Sequence, residues 1–446
     1  MRYKAQAEVR MQPSRPESPS TPFDLPDLTL PRTDTRTTRR ILTLYRQRTL
    51  QEFLRLPTSL VPGADRALWQ EVARLLVDVT RREPRKALHI AGQPTISVLI
   101  QTLATSGPAL HRRLRECCAL VLLELACLRE LPEPGVTVGR DAQGWLPVLR
   151  SPTARMQLEP GADVQGLHFA NSHLGLRTHA AVVTVPLQDL TFVLPEGTPA
   201  TLTRPYHPIA AGLLLATVDN NPLSEFEAHP DKHGNHLDLG GHPPAEWVQV
   251  LQQALALVDT YLPLLGEELR LVMKLIVPVG WDPEKHLSAS YQEAIGQLYM
   301  TLHPNLMTMT EALIHEFQHN KVNAAFRMDP LLHNAWSPLF ASPVRPDPRP
   351  LHGVVLAVHA FQPVAALYEA MLAAGDPLAS HPHFVKRYGQ IVKLNHEGAT
   401  TVLDHAQPTE AGAGLFAEMR AWDEHFATVK IAAGPDGSFD RAPTDG

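Results

Sequence analysis

The chain has 446 residues, with 40 Lys and Arg against 46 Asp and Glu, a formal net charge of −6 and 44% hydrophobic residues. That length allows two or three structural units at roughly 150 residues each, and the apolar content excludes a wholly disordered chain. The acidic balance argues against a nucleic-acid reader, which needs a basic stripe to displace counterions from phosphates.

The longest apolar runs, such as Cys118–Leu128, fall short of the ~20 residues that span a bilayer. Residues 1–30 carry charges and prolines and no apolar secretory core. The expectation is a cytoplasmic protein without a membrane partner. Cys117, Cys118 and Cys127 are odd in number and share one helical stretch, so they read as reduced thiols. The 41 prolines imply many breaks, and the 22 histidines invite a search for metal ligands.

In chain order, residues 1–40 are rich in Pro, Ser and Thr and predict a flexible arm. From Ile41 to Leu131 apolar residues recur at three and four, which predicts a helical N-terminal unit over 41–131. Over 132–243 the β-branched runs "GWLPVLRS", "AAVVTVPLQDLTFVL" and "ATLTRPYHPIAAGLLLATVD" predict a strand-rich middle. At its end "HPDKHGNHLDLGGHPP" carries His229, His233, His236 and His242 in turn chemistry. These four can serve a metal, but no rigid helix holds them, and a solvated loop is the simpler reading.

A catalytic domain is predicted over 244–430, with a frayed tail over 431–446. It opens with helices over Pro244–Val272, followed by the strand candidates "VMKLIVPVGW" and "AIGQLYMTLHP". Then come a helix from Thr308 to Phe326, a Pro-rich loop, an apolar helix from Leu351 to Ala374, and helices near His381–Asn395 and Glu410–Val429. The class is α+β.

The stretch "TMTEALIHEFQHNKVNAAF" carries the chemistry. Thr308 and Glu311 have capping-box spacing. His315 and His319 lie one turn apart on one helix face, so two imidazole nitrogens can reach one ion at about 2.0–2.2 Å. Glu316, second in H-E-x-x-H, can reach the open coordination sphere. Leu313, Phe317 and Ala324 form the face that packs on the core. The expected architecture is therefore a zincin-like, helical, metal-binding C-terminal part. "AIGQLYMTLHP" just before the metal helix is either an ordinary internal strand or an edge strand to which an extended peptide adds.

A catalytic site needs a third fixed ligand beside open positions. The metzincin extension is absent, because Val322 and Ala325 stand where its Gly and third His belong. "LHGVVLAVHAFQPVAALYEAM" offers His352, His359 and Glu369. His359 is favoured, since an unpaired imidazole in an apolar helix is costly. In "SPVRPDPRPLHG", Arg345 and Arg349 are held among four prolines. They are either incidental loop residues or rigid guanidiniums suited to bidentate capture of a carboxylate. Spacing alone favours a zinc metallopeptidase, with Glu316 as the base that activates water.

At "HPDKHGNHLDLGG", "LSASYQEAIGQLYMTLHP", "MTEALIHEFQHNK", "NAWSPLFASPVRPDPRPLHG" and "VHAFQPVAALYE" the chain resembles the HExxH-containing, 2-oxoglutarate-dependent peptide β-hydroxylases that tailor ribosomally made peptides. The resemblance covers roughly residues 229–369. It implies Fe(II), with 2-oxoglutarate and O2 as cosubstrates, a precursor peptide as substrate, and hydroxylation at a side chain's β-carbon. It also implies that His315, His319 and His359 bind iron, that Arg349 clamps the distal carboxylate of 2-oxoglutarate, and that Glu316 supports the ligands or accepts a proton. A metal-free peptide-binding module is the third class of function open to the sequence.

Overall fold

Helix starts follow the prolines. Pro84, Pro94, Pro244, Pro263 and Pro382 each sit at the first turn of a helix, where their fixed φ helps and the missing N–H has no partner to lose. The computed structural model describes residues 25–104, 109–224, 236–343 and 345–428. Its first helices are α1 (Arg36–Leu54), α2 (Arg66–Arg82), α3 (Pro84–Ala91), α4 (Pro94–Thr102) and α5 (Leu110–Cys127). Seven strands follow: β1 (Val136–Gly139), β2 (Leu149–Ser151), β3 (Met156–Pro160), β4 (Gly166–Ala170), β5 (His173–Arg177), β6 (Val182–Pro186) and β7 (Ala200–Thr203). They form two antiparallel sheets, in the orders β1-β4-β5-β6 and β2-β3-β7. Their inward residues share one core with α2–α5.

The predicted strand-rich middle therefore divides. Its last strands, β8 (Tyr206–Ala210) and β9 (Leu213–Ala216), leave the first core and join a third sheet with β10 (Leu275–Trp281), β11 (Ser288–Ala289) and β12 (Gln297–Leu302). The order is β11-β12-β10-β9-β8, with β10 parallel to both of its neighbours. Helices α6 (Pro244–Tyr261), α7 (Pro263–Val272), α8 (Leu306–Met328) and α9 (Leu351–Ala374) bury this sheet's inner residues. Between α8 and α9 lies a hairpin, β13 (Leu339–Ser342) and β14 (Arg345–Pro350); α10 (Pro382–His405) and α11 (Ala413–Ala427) complete the described chain. With 50% helix and 17% strand, kept largely in separate segments, the class is α+β. By length and composition α9 could cross a membrane, but 83% of its most apolar window is buried inside the fold, as in a core helix. Cys117, Cys118 and Cys127 are all free thiols. The expected tail over 431–446 lies outside the described residues, as do His229 and His233.

The expected flexible arm is corrected from Leu25 onward. Leu25, Leu28 and Thr29 are buried, and α1 begins at Arg36. This strap is held by its backbone: Thr29 N–H and Leu30 N–H donate to the Glu418 carboxylate on α11 at 2.8 and 2.9 Å. Thr29 C=O accepts from Gln318 Nε2 of α8 at 2.9 Å. A carboxylate can satisfy two strap amides at once, so a proline-rich composition is no bar to order here. Nor is α1 confined to the N-terminal unit. Its Phe53 packs in the first core, Leu42 beside the third sheet, and Ile41 and Tyr45 with α8 and α9.

Two predictions concern stability. Glu418→Ala leaves two buried strap amides without an acceptor and is expected to lower unfolding free energy by about 2–4 kcal/mol; denaturant unfolding measures it, and no loss would show that the strap is not anchored there. The second concerns Lys274, between α7 and β10, whose ammonium is pushed down from 10.5 to about 8 by burial and then by Arg46. The folded state then binds fewer protons than the unfolded state between pH 8 and 10.5, so this residue's penalty is complete below pH 8 and fades as pH rises. Lys274→Met should be more stable than the parent at pH 7, and the difference should shrink from pH 8 toward 10.5.

Candidate metal centre

The helix that carries the motif starts earlier than its capping-box spacing predicts. Asn305 is the N-cap, and its side-chain oxygen accepts from Met307 N–H at 2.9 Å and Thr308 N–H at 3.4 Å. Thr308 is already helical, and no Thr308–Glu311 box forms. Glu311 turns inward instead, to Arg387 Nη2 at 2.7 Å and the Tyr368 hydroxyl. Leu313, Phe317 and Ala324 are fully buried, as the helical period predicts.

On the other face His315 and His319 lie with ring centroids 4.2 Å apart. Together with Glu316 they form a group whose ligand atoms all lie within 4.8 Å of one another. Burial holds the His319 imidazole below its usual value, against the opposing pull of Glu316 and the Leu356 backbone. It is neutral at pH 7 and able to offer a lone pair. His319 Nε2 is buried without a hydrogen-bond partner, an arrangement that costs free energy unless something else binds there. Two imidazoles, one carboxylate and an orphaned buried nitrogen fit a divalent transition metal.

Glu316 is the most constrained member. Its Oε1 accepts from Ser288 Oγ at 2.7 Å and its Oε2 from Ser290 Oγ at 2.6 Å, with Oε2 3.7 Å from His319 Nδ1. The two serines stand two apart on an extended segment, so both hydroxyls point to one side. Motif reasoning did not pick them out. The signal was the Ser-Ala-Ser alternation within "LSASYQEAIG".

That segment also decides the edge-strand question. β12 is buried at all six positions and pairs with β10 on one side and β11 on the other. It is an internal strand, and β11 is the edge. Continuous burial is the mark of a strand with both faces covered, which is why alternation is a poor guide here.

The expected third ligand is not part of the group. The α9 helix runs antiparallel to α8: His352 meets Phe326, Phe361 meets His315 at 4.6 Å, and Tyr368 meets Glu311. Opposite the histidine pair this places the Leu356 backbone and the Phe361 ring. His359 is fully buried on another side of α9, near Leu28 and Lys321, with neither ring nitrogen in a hydrogen bond of normal geometry. Burial pushes it well below its usual value, and Lys321 and His319 add to that. His352 is pushed down to about 4 by burial and His319, and stacks against Trp336 at 4.6 Å. Glu369 is committed to His425 at 2.8 Å. Among the described residues the third donor of the group is Glu316 itself.

Arg349 lies on β14 opposite Phe340, with its side chain over Gly353 in the first turn of α9 and its Nε 3.5 Å from Asp347. In the histidine-rich loop, His236 is exposed and His242 Nδ1 is 2.7 Å from the Glu246 carboxylate.

No protein-family model matches the chain, and no curated protein matches it.

The centre is tested by metal content. His315→Ala and His319→Ala are each expected to lose a bound divalent metal while keeping the parent's circular dichroism; full retention of metal by both would place the donors elsewhere. The double variant Ser288→Ala, Ser290→Ala should lose about 2–4 kcal/mol of stability, since two charge-assisted hydrogen bonds to a buried carboxylate go at once.

Proposed function

We propose that the chain is an Fe(II)- and 2-oxoglutarate-dependent oxygenase that hydroxylates the β-carbon of a residue in a ribosomally made precursor peptide. The metal-bearing half, an HExxH helix packed on a sheet whose edge strand touches the motif's glutamate, supports a zincin-like architecture adapted to that use. The reading rests on the sequence resemblance together with one observation, the paired serine bonds to Glu316. Each Glu316 oxygen already accepts a serine hydroxyl, which fixes the carboxylate between β11 and the metal helix beside His319 and leaves lone pairs on both oxygens for a metal. A peptidase would need the same carboxylate to turn toward a metal-bound water and take its proton.

The donor set of two histidines and one carboxylate is the kind that serves non-haem Fe(II) oxygenases. Bound Fe(II) would supply activation of O2, whose four-electron reduction draws two electrons from the peptide C–H bond, which gains one oxygen atom, and two from 2-oxoglutarate, which gains the other as it becomes succinate and CO2. His315 and His319 would hold the ion. Phe361, tilted against His315 with ring centroids 4.6 Å apart, covers that side of the imidazole. Arg349 would bind the distal carboxylate of 2-oxoglutarate, with Asp347 giving up its place to the cosubstrate.

Purified protein given Fe(II), 2-oxoglutarate, O2 and the precursor peptide should release succinate and add one oxygen's mass to the peptide. Peptide cleavage supported by zinc without O2 would establish the peptidase reading in its place. Arg349→Ala should raise the 2-oxoglutarate requirement by roughly 10–100-fold, the loss of about 1.5–3 kcal/mol expected for a charge-assisted bond, with iron still bound. An unchanged requirement removes Arg349 from the site.

A further inference from the structure

Where α2 ends beside the turn that closes α5, a pocket of about 330 Å³ opens between four arginines, Asp78 and Glu130, over a floor of leucine and proline. Its carboxylates are already neutralised. Asp78 pairs with Arg74 at 3.1 Å, and Glu130 with Arg82 at 3.2 Å and with Lys86. The other two guanidiniums, Arg81 and Arg129, have no carboxylate partner among the described residues; Arg129 gives one hydrogen bond, to the Gln188 side-chain oxygen at 3.1 Å. Each guanidinium carries five N–H donors, so most of theirs remain to be used.

Arg129 also stands where the backbone favours glycine. The end of α5 is closed by Arg129 N–H to Ala126 O at 3.2 Å and Glu130 N–H to Leu125 O at 2.9 Å. This is the Schellman pattern, whose residue after the C-cap is left-handed and usually glycine. Arg129 adopts that conformation at φ 58°, where a Cβ is penalised. The helix dipoles favour cations near both helix ends, but an arginine in the last turn supplies that attraction without the backbone penalty. A side chain kept at a locally unfavourable position on a pocket wall points to something that it holds.

We infer that this pocket binds a small organic polyanion, its carboxylate or phosphate oxygens gripped by Arg81 and Arg129 and its carbon skeleton resting on the apolar floor. The planar guanidinium fork matches two oxygens of either group. The volume lies at the lower end of the roughly 300–1,000 Å³ usual for small-molecule sites. The pocket is built on the first core, whereas the metal helix packs in the others, so the two sites can be tested separately.

The test is calorimetric titration of the full chain with citrate and with inorganic pyrophosphate at about 0.15 M salt, where loose surface attraction is screened beyond ~8 Å. One of the two should bind at one equivalent, and the preference identifies carboxylate or phosphate as the recognised group. Arg129→Gly should weaken that binding at least tenfold and at the same time raise the melting temperature, because it removes the left-handed strain. Arg81→Ala, on an exposed helix end, should weaken binding similarly with the melting temperature unchanged. The proposal is overturned if neither anion binds, if binding survives both substitutions, or if Arg129→Gly lowers the melting temperature.

Discussion

The site depends on how rigidly one helix is held from behind. The α8 helix presents His315 and His319 on one face, and its other faces are fixed by buried polar anchors as well as by apolar packing. Lys321 is fully buried and lies 2.7 Å from Glu268 on α7, itself 1% exposed, while the second Glu268 oxygen accepts from Thr38 on α1 at 2.5 Å. Asn320 accepts from Gly296 N–H at 2.7 Å, just before β12. Gln318 reaches the strap at Thr29. Apolar contacts let a helix slide or rotate by small amounts at little cost, but a buried ion pair does not. Removing one partner strands the other's charge, typically at about 3–5 kcal/mol. Rotation of α8 about its axis would break these anchors together, so the direction in which the two imidazoles point is set by residues that never touch a metal.

The sequence made α8 and α9 legible because each has a strong local signal. The one-turn histidine spacing and the burial of Leu313, Phe317 and Ala324 follow from helical period alone, and Leu351–Ala374 is helical over its expected span. What could not be read was set by partners distant in the chain. The strap looks disordered by composition because its order comes from Glu418, nearly four hundred residues away. Glu311 looks like half of a capping box because nothing local reveals Arg387. His359 looks like a ligand because its burial is visible and its direction is not. The antiparallel run of α9 brings Phe361 to His315, and that alignment is a tertiary fact.

His359 shows how the fold tolerates an isolated imidazole. A charged ring at that depth, beside the Lys321 ammonium, would add repulsion to desolvation, so the neutral form is the one the surroundings allow. Neutral imidazole costs far less to bury than its cation, and the adjoining Lys321–Glu268 pair keeps its own geometry without help from the ring. The residue thus lies within electrostatic reach of both Lys321 and His319 of α8 without joining the metal group.

A second polar layer joins the two halves of the protein. Asp219, just beyond β9, accepts from Tyr299 at 2.8 Å and Gln297 at 2.9 Å, both on β12. Its neighbour Asn220 accepts from Tyr206 on β8 at 3.0 Å and donates to Thr95 on α4 at 2.9 Å. Burial and then Asp219 raise the Tyr299 hydroxyl far above its usual value, so it remains a donor at every ordinary pH. These bonds favour one arrangement, because a slip would break several of them at once, although the Gln297 side-chain oxygen is buried without a partner. Through Thr95 the helices of the first core are tied to the strand that leads directly into α8. The stability of the N-terminal unit and the alignment of the metal helix are therefore coupled, although none of that unit's described residues up to β7 belongs to the metal centre.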